Sequence, residues 1–136
     1  MEGYPHQALI QIRYNDMDTL GHVNNAVYFT YFELARVRFF RDVGIWDGDR
    51  AAYGVIMAKA TVEYKLPITL DDESVMIWTR CSRLGNKSFD LDQVLVRRDG
   101  AVATTALTVG VAYDYRINAS VVLPDAWRAR LVPQSR

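Results

Sequence analysis

Residues 13–36, RYNDMDTLGHVNNAVYFTYFELAR, pass from a short extended segment through two acids, a glycine and a histidine into an aromatic-rich run. The run predicts one long helix over about residues 24–43. Asn24 or Asn25 suits the N-cap, because an asparagine side chain accepts a hydrogen bond from a free backbone N–H, and Gly44 suits the end. At 100° per residue the apolar side chains form one wide arc, which predicts a largely buried helix. The arc contains Tyr28, Phe29, Phe32, Ala35, Phe39, Phe40 and Val43.

The rest of the chain has the pattern of strands. Residues 55–66 alternate, with apolar side chains at even positions, so we expect one face of this strand to be buried. Other strands are predicted at about 7–13, 73–83, 87–98 and 101–114, with turns at Leu84-Gly85-Asn86 and Asp99-Gly100 and a helical turn at 124–131. One helix against a five-stranded, mostly antiparallel sheet is an α+β architecture. Such a sheet leaves edges exposed, which predicts a homo-oligomer.

Bulk composition narrows the class of protein. The 136 residues, 50% hydrophobic and 24% charged, suit a single domain over residues 1–136. Sixteen basic and sixteen acidic residues cancel, so neither nucleic acid nor an anionic membrane is an expected partner. Cys81 is the one cysteine, which excludes a disulfide framework. No apolar run approaches the ~20 residues that cross a bilayer, and the first residues do not resemble a signal peptide, so we expect a soluble cytoplasmic protein.

Asp16, Asp18 and His22 lie between the first strand and the helix. The two acids are separated by one residue, so their side chains point apart in an extended segment and need not share a role. Both acids can equally be structural residues that form a turn or cap the helix, and His22 can be a hydrogen-bonded structural residue. A metal site is disfavoured, because the other histidine, His6, lies near the N-terminus and the spacing matches no known ligand set. We predict neither metal nor cofactor.

The start of the helix adds a chemical feature that the acids lack. Its first backbone N–H groups have no partners within the helix and carry the positive end of the helix dipole, so they can stabilise negative charge on an acyl oxygen under attack. A carboxylate a few residues earlier, such as Asp18, can act as nucleophile or activate water. The combination suits acyl transfer, and no serine–histidine–acid or cysteine–histidine motif competes for that role.

Glu33 and Arg36 lie three residues apart and face each other on the helix. A structural ion pair is the favoured interpretation, because a buried charge without a partner is costly. The functional alternative places Glu33 near an acyl group or against the active-site loop.

The motifs YNDMDTLGHVNN and YFTYFELAR resemble those of the hotdog-fold acyl thioesterases, of the 4-hydroxybenzoyl-CoA thioesterase type and the related long-chain acyl-CoA and acyl-ACP thioesterases. The resemblance extends to PITLDDE and RLGNKSF. It implies a long sheet curled around a central helix, and dimers or dimers of dimers with active sites between subunits. It implies hydrolysis of acyl-CoA to a carboxylate and CoA. Asp18 would be nucleophile or general base, the Asn25 backbone N–H the oxyanion donor, and His22 an assisting residue.

The resemblance also implies basic groups for the CoA phosphates. The candidates are Arg83, Lys87 and Ser88, with Arg97 and Arg98 as alternates. The rings of Tyr28, Tyr31 and Phe32 are candidates for an acyl-pocket wall, and core packing explains them equally well.

Three other functions stay open. A carrier protein in place of CoA would make the protein an acyl-ACP thioesterase. A non-catalytic acyl-binding protein would usually have lost the acid, which Asp18 supplies here. A hotdog dehydratase uses histidine and acid in a different arrangement. Two positions depart from branches of the family, since Leu20 stands where some plant-type enzymes have asparagine and Asn25 where another branch has histidine.

Overall fold

The computed structural model describes residues 1–46 and 53–134, which form one antiparallel sheet against one long helix. The strands are β1 (His6–Gln11), β2 (Tyr53–Tyr64), β3 (Ser74–Leu84), β4 (Ser88–Val96), β5 (Val102–Asp114) and β6 (Ala119–Ser120). The helices are α1 (Val27–Val43) and α2 (Asp125–Arg130). The strand order is β1-β3-β4-β5-β2, with the two-residue β6 on β5. The α+β prediction is confirmed, with β6 as an additional short strand.

The long helix α1 begins three residues later than predicted, at Val27. The Asn24 side chain accepts a hydrogen bond from the Ala26 N–H at 2.9 Å, and its carbonyl oxygen accepts one from the Val27 N–H at 2.9 Å. Asn24 therefore forms a turn before the helix, and Ala26 occupies the N-cap without a side-chain hydrogen bond. The predicted end at Gly44 is confirmed by its left-handed φ of 82°.

The apolar face of α1 packs over β1 and β3. Its buried residues are Tyr28, Tyr31, Phe32, Ala35, Phe39 and Phe40. Phe29, which the periodicity placed in the buried arc, is 45% exposed and lines an open cavity together with Val55 and Met57 of β2. Tyr31 was outside the predicted arc and is 2% exposed. The helix thus covers one half of the sheet and leaves an open flank.

Strand β2 forms one edge of the sheet, and the predicted single buried face over residues 55–66 is wrong. Ile56, at an even position, is 42% exposed. The pairing of β2 with β5 shifts register between Met57 and Lys59, and a bulge of this kind moves alternate side chains to the opposite face. Met57 packs towards the core before the bulge and Val62 after it.

The strand registers define two ends of the sheet. Gln11 pairs with Ser74, and Tyr64 pairs with Thr104, at the end that also carries the loop before α1. We call this the loop end. The β3–β4 turn lies at the opposite end. None of the helices in the described ranges has the length and hydropathy to span a bilayer.

Candidate active site

The segment between β1 and α1 is fixed by backbone hydrogen bonds. The Asp18 N–H donates to the His22 carbonyl oxygen at 2.7 Å, and the Gly21 N–H donates to the Asp18 carbonyl oxygen at 3.2 Å. Gly21 has a φ of 84°, in the left-handed region that a residue without a Cβ enters at little cost. The Val23 N–H donates to the Ile68 carbonyl oxygen at 2.8 Å, which ties the turn to the segment before β3. The turn therefore holds Asp18 in a defined position.

Asp16 is a structural anchor of this segment. Its carboxylate is 1% exposed, and Oδ2 accepts hydrogen bonds from the Tyr31 hydroxyl at 2.6 Å and from the Arg13 N–H at 2.9 Å. Oδ1 accepts from Arg13 Nη2 at 2.9 Å. Burial alone would raise the pKa of Asp16, but the bonds from Tyr31 and Arg13 outweigh it and hold the pKa below its ordinary value. With both oxygens engaged, Asp16 has no part free for a substrate.

Asp18 is half-buried and differs from Asp16 in having one oxygen free. Its Oδ1 accepts hydrogen bonds from the Leu20 N–H at 2.8 Å and the His22 N–H at 3.1 Å. Its Oδ2 receives no hydrogen bond from any described residue. One carboxylate oxygen thus orients the group while the other is available for chemistry. The two acids therefore differ in what they present to the cleft, since both oxygens of Asp16 are bound within the protein and one oxygen of Asp18 is not.

The start of α1 supplies a donor next to Asp18. The Asn25 N–H has no acceptor within residues 1–46 and 53–134, and Asn25 is exposed. The Asn25 carbonyl oxygen accepts a hydrogen bond from the Tyr64 hydroxyl at 2.7 Å. The free N–H lies at a helix start, where unpaired amides favour negative charge.

Asp18 and Asn25 line one cleft of about 350 Å³ at the loop end of the sheet. The other lining residues are His22, Val23, Tyr28, Tyr64, Lys65, Leu66 and Pro67. The structure therefore brings together the four sequence candidates Asp18, His22, Asn25 and Tyr28. His22 is exposed, whereas Tyr28 is 3% exposed and its ring meets the Tyr64 ring edge-on, with centroids 5.0 Å apart. Burial raises the pKa of Tyr28, so its phenol stays protonated at neutral pH.

The sequence did not predict that residues at the end of β2 and just after it form one wall of this cleft. Tyr64, Lys65 and Pro67 are close in the chain, but no local pattern says that the end of β2 meets the start of α1. The available signal was Pro67, which ends a strand and so marks a place where loops gather. Lys65 is the cationic side chain that lines this cleft.

A second cavity of about 550 Å³ lies along the open flank of α1, facing β2. Its lining residues are Phe29, Glu33, Arg36, Val37, Phe40, Trp46, Val55, Met57, Ala60 and Tyr115. The predicted Glu33–Arg36 ion pair is wrong, because the described residues contain no charged contact within 4.0 Å between them. Arg36 Nη1 instead donates a long hydrogen bond of 3.4 Å to Gln93 Oε1. Burial lowers the pKa of Arg36, and the charge of Glu33 opposes this effect.

The candidates for CoA phosphates lie in two places. Arg83 and Ser88 flank the β3–β4 turn, where Arg83 Nη2 donates to Ser88 Oγ at 2.9 Å. Lys87 is exposed in the same turn. Ten strand rises along β3 separate this turn from the loop end by roughly 30 Å. Within one chain, these three residues therefore share no site with Asp18.

The alternates Arg97 and Arg98 lie at the loop end. Arg97 Nη1 donates to the carbonyl oxygen of Pro67 at 3.1 Å, and Arg98 Nη1 lies 3.0 Å from Glu73 Oε1. The described residues contain no group of three or more His, Cys, Asp or Glu side chains that could hold a metal ion.

Comparison with known proteins gives consistent matches. The model of the thioesterase-like superfamily matches residues 12–131. The long-chain acyl-CoA thioesterase FadM of Escherichia coli (strain K12) is 27% identical over 136 residues, covering 92% of this chain and 96% of that protein. A thioesterase from Thermus thermophilus, solved in complex with coenzyme A and Zn, has a TM-score of 0.84 and 34% identity, covering 96% of this chain and 95% of its own. A putative thioesterase from Pseudomonas aeruginosa has a TM-score of 0.85 and 32% identity, covering 95% and 99%.

Proposed function

The chain belongs to the thioesterase-like superfamily and has the hotdog fold of a thioester hydrolase, and we propose that it hydrolyses acyl-CoA to a carboxylate and free CoA. The activity named for the E. coli relative and the coenzyme A bound by the T. thermophilus structure support CoA as the thiol. The single observation that carries the mechanism is the Asp18 carboxylate, with one oxygen bound by loop amides and the other open in a cleft beside the Asn25 N–H.

Asp18 can act either as a nucleophile or as a general base. As nucleophile, its Oδ2 attacks the thioester carbon, the C–S bond breaks, CoA leaves as thiolate, and water then hydrolyses the mixed anhydride. As general base, it takes a proton from a water that attacks the same carbon, and the proton passes to the departing sulfur. In both routes negative charge develops on the acyl oxygen, and the Asn25 N–H stabilises it. The exposed ring of His22, at the rim of the cleft, orients the attacking water.

Lys65 is the proposed contact for a CoA phosphate, because it is the cation that lines the cleft. Arg83, Lys87 and Ser88 are too far from Asp18 of their own chain to share its substrate. These three residues can contact CoA only in an oligomer, in which a second copy places the β3–β4 turn of its sheet beside the loop end of the first copy.

A homo-oligomer formed through β2 is part of this proposal. β2 is twelve residues long, and its outer edge pairs with no described strand. Antiparallel pairing with β2 of a second copy, centred on Thr61, would place Lys59 opposite Glu63 of the second copy at two equivalent positions. Both side chains are exposed, and opposite charges in such cross-strand pairs stabilise a sheet.

The test is release of free thiol from short, long and aromatic acyl-CoAs by wild type and Asp18→Asn. We expect wild type to hydrolyse at least one ester and Asp18→Asn to lose activity by about a hundredfold or more, since asparagine can neither attack nor accept a proton. Asp71→Asn is the matched control, because Asp71 is an exposed acid outside the cleft, and its activity should equal that of wild type. Equal activity in Asp18→Asn would remove Asp18 from the mechanism. Turnover of acyl-ACP alone would replace CoA with a carrier protein, and no turnover of either would favour an acyl-binding protein.

A further inference from the structure

Tyr64, the last residue of β2, joins the edge of the sheet to the start of α1. Its hydroxyl donates to the Asn25 carbonyl oxygen at 2.7 Å, between residues 39 positions apart in the chain. Its ring meets Tyr28 edge-on, at 89° and a centroid distance of 5.0 Å. Because Tyr28 is buried in the first turn of α1, it gives the Tyr64 ring a fixed surface. Packing and a hydrogen bond together therefore hold the Tyr64 hydroxyl.

The peptide group between Asn25 and Ala26 is held from both sides. Tyr64 binds its carbonyl oxygen, and the Asn24 side chain accepts a hydrogen bond from its N–H at 2.9 Å. The Asn25 N–H lies one Cα away and has no acceptor in the described part of the chain. A rotation of the Asn25–Ala26 peptide would change the backbone angles of Asn25 and so the direction of this N–H.

No side chain caps α1 at Ala26. A helix start is ordinarily secured by its own N-cap side chain, whereas this one is secured from a different element of the fold. We propose that Tyr64 is a positioning residue for the oxyanion donor. Its hydroxyl holds the Asn25–Ala26 peptide so that the Asn25 N–H stays in place when charge develops on the acyl oxygen. This inference rests on the proposed thioesterase function.

A donor held in advance acts mainly on the transition state, because the charge on the acyl oxygen is small in the bound substrate. Loss of the Tyr64 hydroxyl should therefore lower kcat and leave KM nearly unchanged. Removal of one neutral hydrogen bond corresponds to a fall of about fivefold to tenfold in rate. That is smaller than the roughly hundredfold loss expected when an oxyanion donor itself is removed.

The experiment compares wild type, Tyr64→Phe and Tyr113→Phe in steady-state hydrolysis of the best acyl-CoA substrate. Phenylalanine keeps the ring on Tyr28 and removes only the hydroxyl. Tyr113 is the matched control, because it lies next to the far end of β2, opposite Gly54, and outside the cleft. We expect kcat of Tyr64→Phe to fall by about fivefold to tenfold, with KM within about twofold of wild type. Tyr113→Phe should retain both constants.

A second variant tests the same peptide from its other side. Asn24→Ala removes the acceptor for the Ala26 N–H, and we expect it to lower kcat as well. Because both side chains hold one peptide, the combined Asn24→Ala/Tyr64→Phe variant should lose less than the product of the single effects. If Tyr64→Phe failed to fold in a thermal melt, Asn24→Ala would carry the kinetic test alone.

Amide hydrogen exchange gives a readout that does not depend on turnover. The Ala26 amide, which belongs to the held peptide and is hydrogen-bonded to the Asn24 side chain, should exchange faster in Tyr64→Phe than in wild type, while amides of β3 keep their rates. An unchanged kcat or an unchanged exchange rate would overturn the positioning role. A rise in KM alone would do so too, because it would make Tyr64 a substrate contact. Failure of wild type to hydrolyse any thioester would overturn the proposed function itself, which distinguishes the two.

Discussion

Replacement of Asp16 by asparagine should separate the two acids of the loop experimentally. The buried Oδ2 accepts two hydrogen bonds, from the Tyr31 hydroxyl and the Arg13 backbone N–H. Asparagine keeps one oxygen for these donors but loses the negative charge, and its NH₂ group then faces the Arg13 side chain. We therefore expect Asp16→Asn to weaken folding rather than the chemistry.

The size of the effect follows from those bonds. A hydrogen bond to a charged group contributes about 1 kcal/mol more than a neutral one, so two such bonds give a loss of about 2 kcal/mol in the free energy of unfolding. The Arg13 ion pair adds little, because the Arg13 side chain is 67% exposed and solvent screens its charge. For a chain of this size, about 2 kcal/mol corresponds to a fall in Tm of roughly 7 °C.

The pH dependence has a definite sign. The pKa of Asp16 in the folded protein is below its ordinary value of 3.8, so the carboxylate adds stability that is complete above the unfolded pKa. That contribution is lost as the pH falls through the folded pKa. The difference between wild type and Asp16→Asn should thus be constant from about pH 5 to about pH 7 and shrink below pH 3.8.

Urea unfolding monitored by tryptophan fluorescence at several pH values measures this difference. Asp71→Asn is the control, because Asp71 is exposed, and its stability should stay within about 0.5 kcal/mol of wild type. Tyr31→Phe removes one of the two donors, so its effect should not add fully to that of Asp16→Asn. The anchoring role of Asp16 would be refuted by wild-type stability of Asp16→Asn at neutral pH, or by a difference that grows towards low pH.

Two further variants test the substrate contact and the oligomer. Lys65→Ala should raise KM for acyl-CoA by about threefold to tenfold, because it removes the cation that contacts the phosphate. The KM for the same acyl group on a thiol without phosphates should stay unchanged. An equal rise in KM for both substrates would contradict the phosphate contact. Lys59→Glu should weaken self-association by about tenfold in sedimentation experiments, because it places like charges opposite each other. The charge-swapped variant Lys59→Glu/Glu63→Lys should restore the self-association of wild type. A failure of the double variant to recover would exclude the Thr61-centred register.

The elements that could be predicted from sequence are those specified by neighbouring residues. The body of α1 follows from its periodicity and its end from Gly44, which needs only the conformational freedom of glycine. The start of α1 was misplaced because Asn24 offers its side chain to Ala26 in a turn, and the same residue type also caps helices. The local sequence permits both the turn and the helix cap, and the contacts of the loop with the rest of the fold decide which of the two forms.

The composition of the site depended on contacts between distant parts of the chain. Asp18, His22 and Asn25 could be placed near each other because they precede one helix. Tyr64 could not be predicted, since its role depends on β2 ending beside that helix. The position of Arg83 relative to Asp18 could not be predicted either, because it depends on the β3 register, which puts the turn beside Arg83 at the opposite end of the sheet of the same chain.

The pairing of β2 makes the length of this strand more constrained than its composition. Between Met57 and Lys59 one additional residue is accommodated, so core-facing side chains lie at odd positions before the bulge, as Met57 does, and at even positions after it, as Val62 does. Deletion of a residue between Lys59 and Tyr64 would leave the regular pairing with β5 one residue short, so the side chains on one side of the deletion would turn to the opposite face. Point substitutions along β2 are thus expected to be tolerated in evolution far more readily than the loss or gain of a single codon there.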